Sequence, residues 1–335
     1  MDINTFFLDA YGINIDKIDS PNLGGYLNNS FVVTANNNFF FLQEINKNRN
    51  LLLENAVLLY LKKLDFPVPE IVKTKQNLIC SYFNNKKMIL TRYIEGYSPI
   101  KFNDLSLNQI IQAAKKLAEF HKLMLKFDFE KISRLNVSTK QEAINICSKV
   151  KIIIKNKFEL DKIDLQISKI IDDKINLLQK YNESDLFNGL EKCLKIFCHG
   201  DYHGANLIFN EEDNIIGVVD WEFFGYDYRV WEVLRSMAFI CDINYTGSLV
   251  GPIDFCKARI YLKAYNDIFP LTNHELDIMT ELIQYKSLCC CFVLEKHYLE
   301  ISKTCDIFIP KKSSHWFWWI ENVGKFKKEV VDCLK

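Results

Sequence analysis

HGDYHGANLIFNEEDNIIGVVDWE, residues 199–222, is the stretch whose reading decides the fold of this 335-residue chain. Leu207-Ile208-Phe209 and Ile215 to Val219 are short apolar runs, and Glu211-Glu212-Asp213-Asn214 lies between them. Two apolar runs around a polar turn predict a β-hairpin. The hairpin would gather Asp201 and Asn206, which precede it, and Asp220, which follows it, at one end. Two carboxylates and an amide are all oxygen donors, a set that suits a hard cation such as Mg2+ better than zinc.

Spacing says more than composition. Asp201 and Asn206 are separated by four residues, as in the protein-kinase pattern H-R-D-x-x-x-x-N. Asp220 then stands where such enzymes place a metal-binding aspartate, here in Asp-Trp-Glu. With His-Gly-Asp in the first triplet, then His203 and Asn206, the stretch resembles the aminoglycoside phosphotransferase and choline kinase superfamily of small-molecule kinases. That superfamily includes homoserine kinase-like members. Each Asp or Asn alone would read as a turn former. The joint pattern of apolar strand, HGD, H-x-x-N, hairpin and apolar-D-W-E is specific.

The resemblance implies an α+β, bilobal, protein-kinase-like fold: a small β-rich N-lobe over 1–93, a hinge over 94–100, and a large, mostly helical C-lobe over 101–335. It implies an ATP-dependent phosphotransferase that acts on a hydroxyl of a small molecule, an amino alcohol, a sugar or an aminoglycoside-like compound. Asp201 would be the catalytic base, and Asn206 and Asp220 would hold Mg2+ on the ATP phosphates. Glu222 would support the metal site. His203 reads equally as a loop organiser or as support, and His199 as a loop organiser. A kinase-like protein that binds partners without catalysis is the competing reading.

Around this centre, Asn22-Leu23-Gly24-Gly25-Tyr26-Leu27-Asn28-Asn29-Ser30 precedes two strands, Phe31 to Thr34 and Phe39 to Ile45. A phosphate-covering loop and a plain β-turn both fit these residues, and the position ahead of the central motif favours the first. Gly25, Asn28 and Ser30 are then candidates beside the nucleotide, and backbone near Arg92 to Ile94 a candidate for adenine. The superfamily's strand lysine falls here on Gln43, within a Leu-Gln-x-Ile-Asn run seen in some sugar-kinase branches. The phosphate cation is thereby unassigned; Lys47 and Arg49 are nearby. With no strand lysine, Glu54 reads as a solvated acid in the first turn of a helix over 50–64. That helix's leucines 51, 52, 58, 59 and 61 are expected near one face.

Further on, Leu105 to Leu125 predicts an amphipathic helix with His121 in its core. Thr139 to Phe158 and Asp161 to Tyr181 predict two more helices. Phe223 to Arg229 reads as a loop, where Asp227 and Arg229 are expected to contact substrate or to pair with each other. Asp227, Glu232 and Asp242 are the acids available to a cationic substrate. His315-Trp316-Phe317-Trp318-Trp319 reads as core rather than as a substrate wall.

Composition excludes other classes. Apolar residues make up 49%, too many for a disordered chain, and 42 basic residues balance 42 acidic ones, which argues against nucleic-acid binding by bulk charge. Eleven cysteines are scattered with no C-x-x-C spacing, so reduced thiols are expected rather than a zinc site. No stretch reads as a signal peptide or membrane span. The expectation is a cytoplasmic monomer or homodimer with no membrane or nucleic-acid partner.

Overall fold

Paired asparagines set the first architecture. Asn36-Asn37 and Asn84-Asn85 all take positive φ, which the two central residues of a tight hairpin turn require. They join β2 (Ser30–Ala35) to β3 (Asn38–Glu44) and β4 (Ser81–Phe83) to β5 (Lys86–Arg92). With β1 (Lys17–Asp19) these form one antiparallel sheet in the order β1-β2-β3-β5-β4. The structure, a computed structural model, describes residues 2–19, 30–45, 49–99, 103–131, 139–243, 252–302, 309 and 315–335. Gly24, Gly25, Asn28 and Lys47 lie outside the described residues.

Strand alternation gives the sheet two apolar faces. Val33, Ala35, Phe40, Leu42, Met88 and Leu90 pack on Phe6, Phe7 and Tyr11 of α1 (Ile3–Tyr11). On the other face, Ile45 and Ile89 meet Leu51 of α2 (Leu51–Lys62). The buried face of α2 is Leu51, Leu53, Glu54, Val57, Leu58 and Leu61. Leu52 and Leu59, expected on that face, are 73% and 48% exposed. Helical geometry turns them away, since a run of consecutive leucines cannot share one stripe.

The rest of the chain is mostly helical: α3 (Leu107–Met124), α4 (Lys140–Lys155), α5 (Lys162–Lys180), α6 (Ser184–Leu190), α7 (Arg229–Ile240), α8 (Phe255–Asn266), α9 (Asn273–Cys289) and α10 (His315–Phe326). Capping boxes start α3, α4, α5 and α9. Trp316 and Trp319 of α10 are fully buried core, as expected. Among the described residues no helix is long and apolar enough to cross a membrane.

Two small ladders sit inside this helical part. β6 (Lys195–Cys198) pairs with β9 (Gly225–Tyr228), and β7 (Leu207–Phe209) pairs with β8 (Ile215–Val218). The second is the expected hairpin. The first corrects the loop reading of 223–229: Gly-Tyr-Asp-Tyr lacks an apolar alternation, and its pairing comes from β6. Segment 94–99 lies across the hairpin. Tyr97 and Phe209 exchange backbone hydrogen bonds of 2.9 and 2.8 Å, and the Tyr97 hydroxyl donates to Asp213 in the turn.

Gly96 makes this approach feasible. A Cβ there would lie 2.6 Å from both Ile208 Cγ2 and the Phe209 carbonyl oxygen. One of those atoms is backbone, so the neighbours cannot simply rotate aside. Gly96→Ala is therefore expected to cost about 1–3 kcal/mol, measured by urea unfolding. A variant as stable as the parent would show that segment 94–99 is not pinned to the hairpin.

Candidate active site

The loop that carries Asp201 is shaped by its backbone first. Gly200 has φ +82°, and a Cβ on it would run into the Phe223 carbonyl. Only glycine takes this conformation at no steric cost. The two flanking amides then face one side chain: Glu232 of α7 accepts from His199 N at 3.0 Å and from Gly200 N at 2.6 Å. His121 of α3 completes the set, with Nε2 at 2.7 Å from Glu232 and Nδ1 at 2.7 Å from the Tyr265 hydroxyl. His121 is thus structural, as expected. His121, Cys198 and Glu232 lie close enough to suggest a metal site, but the bonds just described occupy His121 and Glu232.

His199 is fully buried, and burial pulls its pKa down to about 4. It is therefore neutral near pH 7. Its Nε2 donates to the Val219 carbonyl at 2.9 Å, and its Nδ1 accepts from Asp201 N at 3.3 Å. One neutral tautomer thereby ties the loop before β7 to the end of β8. The ring also lies 4.5 Å from that of Trp221, whose Nε1 donates to the Val218 carbonyl.

Asp201 comes out of this loop beside Arg235 and His203. Its Oδ1 is 2.8 Å from Arg235 Nη2, and its Oδ2 is 3.2 Å from His203 Nε2. Arg235 also donates to the Gly200 carbonyl. Burial pushes the Asp201 carboxyl up, but His203 and then Arg235 and His199 outweigh it and hold the group well below the usual carboxylate range. Asn206 donates through Nδ2 to the Asp201 carbonyl at 2.8 Å. Its Oδ1 takes part in none of these bonds. Val219 N donates to the Asn206 carbonyl at 3.0 Å, so the residue preceding Asp220 is fastened to Asn206.

Asp220 shows the opposite electrostatics. It holds a left-handed φ of +65°, a conformation uncommon for residues other than glycine. Its Oδ1 is buried and accepts no hydrogen bond. Burial, with the charges of Glu222 and Asp201 added, pushes its pKa up to about 7. An unpartnered buried carboxylate oxygen beside two other acids fits a divalent cation. Glu222 is buried, and its charge acts on Asp220.

The remaining expectations divide. Ser30 pairs with Gln43 across β2 and β3. The Arg92 amide is committed to the Glu70 carbonyl at 2.8 Å, and its side chain lies over Phe40 at the surface. Arg92 therefore offers adenine neither its amide nor its side chain. Ile94 packs over Gly217 of the hairpin. Arg229 does not pair with Asp227. It is buried on Glu275 of α9, with Nε at 3.0 Å from Oε1, because the first turn of α7 points it into the α7–α9 seam. Asp227 instead lines a cleft with Gly200, Phe223, Trp231 and Arg235.

Glu54 corrects a further expectation. Far from solvated, it forms a two-point ion pair with Arg49: Nε to Oε2 at 2.6 Å and Nη2 to Oε1 at 2.6 Å, with both side chains 5% exposed. Arg49 Nη1 also donates to Gln43 Oε1 at 2.7 Å. The signal was present in Gln43, Arg49 and Glu54 together, but no spacing rule joins a strand residue to a loop cation. Arg235 was missed for a similar reason, standing inside a helix among core residues.

A family model described as the phosphotransferase enzyme family matches residues 20–251. Ethanolamine kinase 1 of Mus musculus is 26% identical over 108 residues, covering 31% of this chain and 29% of that protein. Its Homo sapiens counterpart is 25% identical over 91 residues, or 25% and 20%. The chain thus spans under a third of the length of these curated relatives. An aminoglycoside phosphotransferase from Alicyclobacillus acidocaldarius superposes with a TM-score of 0.66 at 12% identity, covering 100% of this chain and 97% of that one. A microcompartment-associated aminopropanol kinase gives 0.62 at 13% identity, covering 97% and 98%. At such identities the likeness is one of fold, and it agrees with the α+β kinase-like architecture.

Acid should undo the contribution of the buried imidazoles. His199 titrates near 4 when folded against an ordinary value of 6.5, and burial lowers His121 in the same direction. Between those limits the unfolded state binds more protons at these imidazoles, so the His199 contribution to stability is fully present above about pH 6.5 and is lost as pH falls toward 4, while Asp220 and Asp227, held high in the fold, act in the opposite sense. Relative to His199→Gln, the parent is expected to lose about 2 kcal/mol of stability between pH 6.5 and 4.5, read from urea unfolding of both proteins at each pH. An unchanged slope in that variant would mean that His199 is charged when folded.

Proposed function

The chain belongs to the phosphotransferase enzyme family, and from that membership we propose that it transfers the γ-phosphoryl group of ATP to the hydroxyl of a small amino alcohol. The observation that carries this reading is the meeting of Asp201, Asn206 and the unpartnered Asp220 oxygen at the foot of one hairpin. Asn206 Oδ1 and Asp220 would hold Mg2+, which supplies charge neutralisation at the phosphate oxygens.

Asp201 faces the acceptor. The acceptor oxygen forms the new bond to the γ-phosphorus, the bond to the β–γ bridging oxygen breaks, and the acceptor proton passes to Asp201. A carboxylate held as low as Asp201 is a weak base toward an un-ionised alcohol. It orients the hydroxyl first and takes the proton late, as a loose transition state permits. Arg235 and His203 fix the direction of the carboxylate and keep it ionised.

The amino alcohol class rests on the cleft beside Asp201. Its acids are Asp227 and Glu232. Both Glu232 oxygens are spent on the loop amides and His121. Asp242, on the α7–α8 connection, has no place in the cleft lining. Asp227 accepts one bond, from Tyr228 N at 2.7 Å, and burial pushes it up to about 6. Lys286, Arg235 and Glu232 are the charged groups facing it. Lys286 is itself pulled down to about 7 by burial, so it neutralises Asp227 incompletely. Lys286 Nζ already lies 4.5 Å from the centre of the Trp231 ring, so an incoming ammonium group would take Asp227 as its counter-charge rather than the ring face. The similarity to an ethanolamine kinase and the fold shared with an aminopropanol kinase agree with this class.

ADP release screened over amino alcohols, sugars and aminoglycosides tests the reading. Turnover is expected with an amino alcohol, and Asp201→Asn should lower kcat by about 10²–10⁴ while leaving MgATP affinity within a few-fold. Asp227→Asn should raise the acceptor KM about tenfold or more. In the parent, that KM should fall as pH rises through about 6, because Asp227 must ionise to pair an ammonium. Turnover confined to uncharged sugars would refute the amino alcohol class, and activity surviving intact in Asp201→Asn would remove that residue from its role.

A further inference from the structure

The superfamily's strand cation is absent at Gln43, yet a cation stands at the same place. Arg49 reaches in from the segment between β3 and α2. It is clamped on Glu54, at the fourth position of α2, and on Gln43, at the sixth position of β3. Gln43 lies opposite Ser30 on β2 and Ile89 on β5, so Arg49 is held over the face of the sheet that α2 covers. A kinase-type site needs one cation from this lobe on the phosphates, braced by a glutamate on the adjoining helix.

We propose that Arg49 is the phosphate-binding cation of this enzyme, displaced from strand to loop, and that Gln43 positions it. This rests on the kinase reading above. Guanidinium carries five N–H donors. Three of them account for the bonds to Glu54 and Gln43, which leaves one on Nη1 and one on Nη2. Both nitrogens lie in the guanidinium plane, and each keeps a donor for a phosphate oxygen. The side chain is nearly fully buried, so donors left over are costly unless an anion takes them. Arg49 also lies within electrostatic reach of the metal-site acids: its charge draws Asp220 down against the push of burial, and Asp220 and Glu222 act on it in return. Gln43 is neutral and uses its oxygen on Arg49. Its function is to set the angle of the guanidinium, and Glu54 fixes the other edge.

A structural tether alone would give the same ion pair, so the test must separate binding from folding. MgATP dissociation constants would be measured by calorimetry on the full chain, with thermal unfolding in the absence of nucleotide as the fold control. The parent must bind MgATP; if it does not, the kinase reading fails before any variant is made. Arg49→Met is expected to weaken MgATP at least tenfold, and Gln43→Lys placed on Arg49→Met, which returns a cation to the strand, to recover most of that loss. Arg49→Lys keeps a charge opposite Glu54 but loses the fork, and is expected to bind about tenfold more weakly. It carries the test should the Met variant not fold. Folded Arg49→Met or Arg49→Lys with parental MgATP affinity would overturn the assignment, as would a folded double variant that recovers nothing.

Discussion

One carboxylate, that of Glu232, holds the functional centre in shape. It collects two consecutive loop amides and an imidazole nitrogen inside a site where an ionised acid is otherwise expensive. Three donors offset that cost, aimed by two elements: two by the His199-Gly200 turn and one by α3. Arg235 lies three residues along α7, on the same helical face. It grips the Gly200 carbonyl and the Asp201 carboxylate. One face of α7 therefore holds the loop by its amides, the Gly200 carbonyl and the Asp201 carboxylate.

With the loop so fixed, two aspartates of the same cleft are driven apart. Asp201 is ringed by His203, Arg235 and His199 and stays ionised. Asp220 has Glu222 and Asp201 as neighbours, no donor on one oxygen, and a pKa near neutrality. Environments that separate two like groups in this way assign them different tasks. The first is prepared to face a hydroxyl without holding its proton early. The second is prepared for a positive charge that the protein itself does not supply.

Much of this was legible because it is local. The apolar-polar-apolar run after Asn206 fixes a hairpin, and a hairpin necessarily brings residues before and after it together, so Asp201, Asn206 and Asp220 could be grouped from sequence. The paired asparagines likewise marked both N-terminal turns. What escaped depends on distant partners. β9 is a strand because β6 pairs with it, not because Gly-Tyr-Asp-Tyr has strand periodicity. Arg229 follows the direction of the first turn of α7 into Glu275, 46 residues away, rather than joining its sequence neighbour Asp227. Glu54 looked solvated because its usual partner was missing, and nothing in the spacing showed that a loop arginine had replaced it.

Seen from the cleft, the two halves of the protein carry complementary deficits. On the hairpin side, Asp220 presents a buried oxygen with no donor. On the sheet side, Arg49 presents N–H groups left over after Glu54 and Gln43 are satisfied. A bare metal ion would answer the first and leave the second. A free phosphate would answer the second and be repelled by Asp220, Glu222 and Asp201. A metal–nucleotide complex, cationic at one end of its inner sphere and anionic around it, answers both in one event. The same reasoning explains why a neutral Gln43 is tolerated on the strand. A lysine there would compete with Arg49 for Glu54 and place two cations against one glutamate, whereas an amide oxygen strengthens the arginine's hold and leaves the local charge balanced until the nucleotide arrives.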